Sequence, residues 1–170
     1  MCTFKCVIAA AVLVLASTAM GQYAQVVDTA PTLEASESEA VVYFVRSARM
    51  RGEVDFWAFV DDTLIGVTRA TSYVVGEAPA GEHVVWSRNG NVSALRMELE
   101  AGETYYFRQN VRIIWPATHV NLELMDAAEA ENAILSYRYR ELTREGIERG
   151  HEILAADYEE AVDQAKVLSH

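Results

Sequence analysis

The sequence predicts a mainly β protein, an antiparallel β-sandwich of seven or eight strands, transthyretin- or immunoglobulin-like, followed by a C-terminal α-helical extension. Three observations carry that expectation. Tight turns recur between residues 60 and 107, at Asp61-Asp62, at Pro79-Ala80-Gly81 and at Ala101-Gly102. Short runs of Val, Ile, Tyr, Phe and Trp lie between them, which is how small antiparallel domains are written. After Met125 the apolar period changes from two to that of a helix.

Each segment has its own reason. Val7 to Ala16 is an apolar run of signal-peptide length behind Lys5, too short to span a bilayer. Small residues follow at Ser17, Ala19 and Gly21, so cleavage is expected after Ala19 or after Gly21, the second being preferred. Residues 1–21 are therefore read as a signal peptide and 22–39 as a flexible acidic leader, with Asp28, Glu34, Glu37 and Glu39 and no periodicity.

Residues 40–125 form the β-domain. Ala40 to Arg46 is a β-branched and aromatic strand. Phe56 to Val60 is apolar at every position, as in a strand covered on both faces. Asp61-Asp62 turns into Thr63 to Thr68, because Asp side chains cap nearby backbone. Ser72 to Gly76 leads to the Pro79 turn, where proline presets φ and glycine suits the turn's end. His83 to Arg88 and Val92 to Glu100 flank Asn89-Gly90, a pair that tolerates positive φ. Thr104 to Val111 and Val120 to Met125 complete the set.

Residues 126–170 form the extension. Asp126 is placed to cap a helix with Glu129 as its capping-box partner, and Ala130, Ala133, Ile134 and Tyr137 then share a face. Farther on, Ile147, His151, Leu154, Tyr158, Ala161, Ala165 and Leu168 repeat at alternating spacings of four and three. This stripe needs a cover: its own sheet, or a second copy as a homo-oligomer through the helix. Gly146 and Gly150 weaken its first turns by about 1 kcal/mol each relative to Ala.

Charge and cysteine content narrow the function. The chain has 14 basic and 25 acidic side chains, a net of −11. Both ends are acidic and the β-part is nearly balanced, which argues against nucleic acid and anionic membranes as partners. Cys2 and Cys6 are the two cysteines, and both precede the apolar run. The lipobox is thus lacking, and the mature chain is expected to be free of thiols and of transmembrane segments.

The β-part resembles a bacterial exported family known only as a domain of unknown function. The resemblance rests on Tyr43 with Arg46, Val60-Asp61 with Ile65-Gly66, Tyr73, Pro79-Ala80-Gly81-Glu82-His83, and Gly102-Glu103-Thr104-Tyr105-Tyr106. The middle is also similar to PEGA-type surface domains in its D-x-x-x-x-G and P-x-G-x-H turns. The resemblance covers roughly residues 40–125. It implies an exported β-domain and supplies no catalytic residue. Many such relatives are lipoproteins, and the missing lipobox sets this chain apart.

His83 suits a switch or a metal ligand, but a hydrogen-bonded structural His is the simpler reading. His83, His119, His151 and His170 show no ligand spacing, so no metal or cofactor is expected. Asp61 and Asp62 read as a turn before a calcium site. Glu98, Glu100 and Glu103 contain carboxylates for a glycosidase without anything fixing their separation. Trp57, Phe59, Trp86, Tyr105 and Phe107 read as core before sugar platform. Two groups remain as contacts for a ligand or partner: Arg46, Arg49 and Arg51 in the first loop, whose guanidiniums suit carboxylates or phosphates, and Tyr137, Arg138, Tyr139 and Arg140 in the tail. The expected function is an exported, periplasmic or secreted, non-enzymatic binding or protein-interaction module of the cell envelope. A carbohydrate or cell-wall binder using surface aromatics is the alternative, and a hydrolase the remote one.

Overall fold

In the strand Glu39–Arg46, termed β2, alternate side chains diverge: Ala40, Val42 and Phe44 enter a core, while Tyr43 turns to the opposite face. That period of two recurs along most of the chain. The protein is described by a computed structural model that covers residues 23–47 and 54–167. Residues 1–21, expected to be a signal peptide, and Arg49, Arg51 and Leu168 lie outside the described residues.

The strands are β1 (Ala24–Val27), β2, β3 (Phe56–Val60), β4 (Thr63–Thr68), β5 (Ser72–Pro79), β6 (Gly81–Asn89), β7 (Asn91–Leu99), β8 (Thr104–Ile114), β9 (Ala117–Leu124), β10 (Arg138–Leu142) and β11 (Lys166–Val167). The helices are α1 (Ala127–Ile134) and α2 (Arg144–Gln164). One sheet has the order β1-β10-β5-β2-β8-β9 and the other β11-β7-β6-β3-β4. The protein is thus mainly β, with two sheets and a C-terminal helix. All eight expected strands are present. The expectation of a purely antiparallel arrangement is corrected, because β2 with β8, β10 with β5, and β11 with β7 run parallel.

The sheets share a core. Val42, Phe44, Val74 and Phe107 of the first meet Ala58, Val60, Val85 and Leu95 of the second. The other face of the second sheet carries Trp57, Phe59, Val67, Val84 and Trp86 beneath α2. Phe59 and Trp86 stack with centroids 4.0 Å apart, and Tyr158 of α2 approaches Trp86 at 6.3 Å. Phe56–Val60 is therefore buried throughout because its sheet is covered on both sides. Arg88 Nε donates to Asp157 Oδ2 at 2.8 Å and ties the helix down at its polar margin.

Three expectations change here. The leader is not all irregular, because β1 pairs antiparallel with β10 and buries Ala24. The extension is not all helical, because β10 inserts into the first sheet between β1 and β5. The buried side of α2 is out of phase with the expected stripe at its start: Gly146, Gly150 and Ile153 face inward, whereas Ile147 and His151 are exposed. The two glycines are points of close approach, to the Tyr23 carbonyl and to Leu64. Farther along, Leu154, Tyr158, Ala161 and Ala165 pack as the spacing implies. Asp126 caps α1 by accepting from Glu129 N at 3.1 Å.

Candidate functional site

The turn motifs of the β-domain converge into a clamp. Asp61 Oδ2 lies 2.5 Å from His83 Nδ1, and Asp61 Oδ1 accepts from Val84 N at 2.8 Å. Trp86 Nε1 donates to the Asp61 carbonyl at 2.8 Å, and His83 Nε2 lies 2.8 Å from the Pro79 carbonyl. Asp61, Pro79 and His83 therefore join two turns, and both Asp61 carboxylate oxygens take part in holding them. Glu98, Glu100 and Glu103 are all exposed, on the end of β7 and the turn after it. Trp57, Phe59, Trp86 and Phe107 are core residues, and Tyr105 packs half-buried against that core. Among the described residues no group of three or more His, Cys, Asp or Glu converges.

In the tail patch Tyr139 and Arg140 take opposite faces of β10, while Arg138, at the strand's start, is exposed. Arg140 faces inward and donates to the Ala24 carbonyl. Arg46, at the end of β2, is also buried; it donates to the Val54 carbonyl and sets its guanidinium 4.0 Å over the Phe56 ring. Arg69 makes a two-pronged contact with Asp55 at 2.5 and 3.1 Å. Burial pushes the Arg46 guanidinium down to about 10; Asp55 opposes that shift, while Arg69 and Arg140 add to it. Burial lowers Arg140 as well, with Arg69 adding and Asp55 opposing. Both guanidiniums leave Nε buried without a hydrogen-bond partner. So the structure does bring Arg46 and Arg140 into one cluster, but as an interior element and not as a surface contact.

Tyr139 faces outward, into a row that sequence reasoning missed. Tyr106 on β8, Tyr43 on β2, Tyr73 on β5 and Tyr139 on β10 lie on four adjacent strands of the first sheet. Their rings are 5.1 Å apart (Tyr43 to Tyr106), 6.1 Å (Tyr43 to Tyr73) and 5.7 Å (Tyr73 to Tyr139), within aromatic pairing range. Burial raises the phenol pKa of all four; Glu131 adds to the shift at Tyr106 and Glu141 at Tyr139. They therefore remain neutral donors at physiological pH.

Among the described residues, α1 is the helix that packs against this face. Ala130 is buried there, and Glu129 pairs with Arg108. Two clefts flank the row. One of about 280 Å³ is lined by Val45, Arg108, Met125, Ala133 and Tyr137, among others. The second, of about 380 Å³, is lined by Val26, Asp28, Tyr73, Tyr137, Arg138 and Tyr139, among others. Tyr137 borders both, so Tyr137, Arg138 and Tyr139 stay together on the surface. The signal for the row was present in Tyr43, Tyr73 and Tyr106, but only the strand register joins them.

No known protein-family model matches this chain, and no curated protein matches it.

Proposed function

We propose that this protein is an exported, non-enzymatic interaction module that binds a protein of the cell envelope through the outer face of its first sheet. One observation carries the reading: four contacting tyrosines span four strands and end between two clefts that meet at Tyr137. Tyr and Arg are enriched where proteins bind one another, because they offer large apolar area with a polar end and lose little conformational freedom. The opposite sheet has α2 across its outer face, so among the described residues the tyrosine face is the more open of the two. The acid and base beside the first cleft, Glu129 and Arg108, are spent on each other, which favours binding over proton transfer. Export rests on the apolar run and the small residues after it. The sandwich layout, of a transthyretin or immunoglobulin kind, and the likeness to PEGA-type domains accord with a surface module.

The carbohydrate-binding alternative draws on the same tyrosines, since Tyr43 and Tyr139 present half-buried rings in one patch. Amide exchange of the protein mixed with a solubilised envelope fraction separates these readings. Protection of β10 and of residues 134–137, lost in the Tyr73→Ala/Tyr139→Ala variant, supports the protein-binding reading. Equal protection from soluble cell-wall saccharides alone supports the alternative. Unchanged exchange in both mixtures refutes the face.

A further inference from the structure

Between Glu103 and Glu123 the chain has no acidic residue, although it carries 25 elsewhere. That interval is the β8–β9 hairpin. β2 accompanies β8 only as far as the pair Val45 and Arg108, whereas β9 continues to the pair Ile114 and Ala117. The base of the hairpin is anchored. Asn91 Nδ2 donates to the Val120 carbonyl at 3.0 Å, Val120 N donates to Asn91 Oδ1 at 2.7 Å, and Leu122 N donates to Ser93 Oγ at 2.9 Å.

The end of the hairpin is apolar and open to solvent. Ile113 is 57% exposed, Ile114 59% and Trp115 88%, and Pro116 is exposed beside them. The other two tryptophans, Trp57 and Trp86, are buried, so Trp115 is the one that meets solvent. Behind this tip Arg112 and His119 face each other across the ribbon.

We propose that Ile113-Ile114-Trp115-Pro116 is a finger that inserts into the interface of a zwitterionic lipid bilayer. The shape is a convex end, suited to entering a soft layer. From the Arg112–His119 pair to the turn is about three residues, or ~10 Å at the strand rise. Interfacial segments sit ~5–10 Å deep, so the apolar tip would reach the acyl boundary while Arg112 and His119 meet lipid phosphates. The indole belongs at headgroup level. The missing acids remove the repulsion that the rest of this acidic surface would suffer at phosphates. The net charge of −11 selects zwitterionic over anionic lipid. A tip this small gives weak, reversible binding that orients the protein. It stands independently of the tyrosine face.

The test reads Trp115 in the full chain with phosphatidylcholine–phosphatidylethanolamine vesicles at millimolar lipid. The N-terminal apolar run can bind lipid by itself, so the signal must come from the tip. A Trp115→Phe variant supplies the baseline from Trp57 and Trp86. The expected results are a blue shift of Trp115 emission, at least threefold protection from iodide, and quenching by lipids brominated near the headgroup end of the chain. The Ile113→Asn/Ile114→Asn variant, whose changes are at exposed sites and should leave the melting temperature unchanged, should lose Trp115 protection at least fivefold. Four outcomes overturn the proposal: Trp115 stays as accessible to iodide with lipid as without; the double variant is protected like the parent; protection follows protein concentration without lipid, which assigns the tip to a second copy; or protection appears only when a protein partner is added.

Discussion

Gly146→Ala is a substitution for which helix propensity and packing give opposite signs. In a helix interior alanine is favoured over glycine by about 1 kcal/mol. Gly146 lies in the first turn of α2, where its N–H donates to the capping Thr143 hydroxyl at 3.1 Å. A Cβ added there would lie 2.8 Å from the Tyr23 carbonyl carbon and closer still to its oxygen. Backbone cannot swing aside as a side chain can, so α2 must lift from the start of β1. That movement strains the hydrogen bond from Thr143 N to the Tyr23 carbonyl, now 3.0 Å, worth about 1 kcal/mol net. Overpacking adds about 1–3 kcal/mol. Set against propensity, the expected loss is about 2 kcal/mol, or a melting temperature lower by roughly 4–8 °C for a chain of this size. Gly150→Ala is the control, because the nearest atoms to its Cβ would belong to the Leu64 side chain and not to backbone; its change should stay within about 1 kcal/mol. Urea unfolding followed by circular dichroism measures both. A Gly146→Ala protein as stable as the parent would refute the close docking of α2.

Asp55→Asn should be costly, because Asp55 is the carboxylate that the described structure places beside Arg69 and Arg46. Removing one partner of a buried charge group costs about 3–5 kcal/mol, and a loss under about 1 kcal/mol in denaturant melts would show the cluster to be well solvated. Gly102→Val should cost about 1–3 kcal/mol, since φ there is +81°; a neutral result would mean that the turn relaxes into an ordinary conformation. Five of the eight tyrosines (43, 73, 106, 139 and 158) have phenol pKa values raised chiefly by burial. A group raised in the folded state contributes its full stability below the unfolded value and loses it as pH rises through the folded one. Stability should therefore hold from neutral pH to about 10 and fall above it; a tyrosinate absorbance titration complete at the ordinary midpoint of about 10 would contradict these burials.

The eight strands between Glu39 and Leu124 were legible because their turns carry residues that tolerate positive φ: Asp61, Gly90 and Gly102. β1 and β10 were not. Ala24–Val27 and Arg138–Leu142 have no turn between them and become strands by pairing with each other and with β5. The start of α2 was misread because propensity counts glycine as a weakness, whereas Gly146 and Gly150 let the helix approach backbone and Leu64. Of the expected contacts, Tyr137, Arg138 and Tyr139 lie together on the surface, while Arg46 and Arg140 turned inward. Charge suggests exposure for any single arginine. Only the alternation of β2 and β10 against the core decides otherwise. Tyr106, Tyr43, Tyr73 and Tyr139 are far apart in the chain and meet only through two parallel strand pairings and one antiparallel one.

The role of the tyrosine face is tested most directly by photo-crosslinking in the producing cell. A photoreactive residue is placed in turn at Tyr137 and Arg138, beside the clefts, and at Glu159, exposed on α2. The account predicts a discrete protein adduct at positions 137 and 138 and none at 159. It also predicts that Tyr139→Ala lowers adduct yield about tenfold or more at subsaturating partner, as for a residue central to an interface. Adducts of equal yield at all three positions, or at 159 alone, would contradict it.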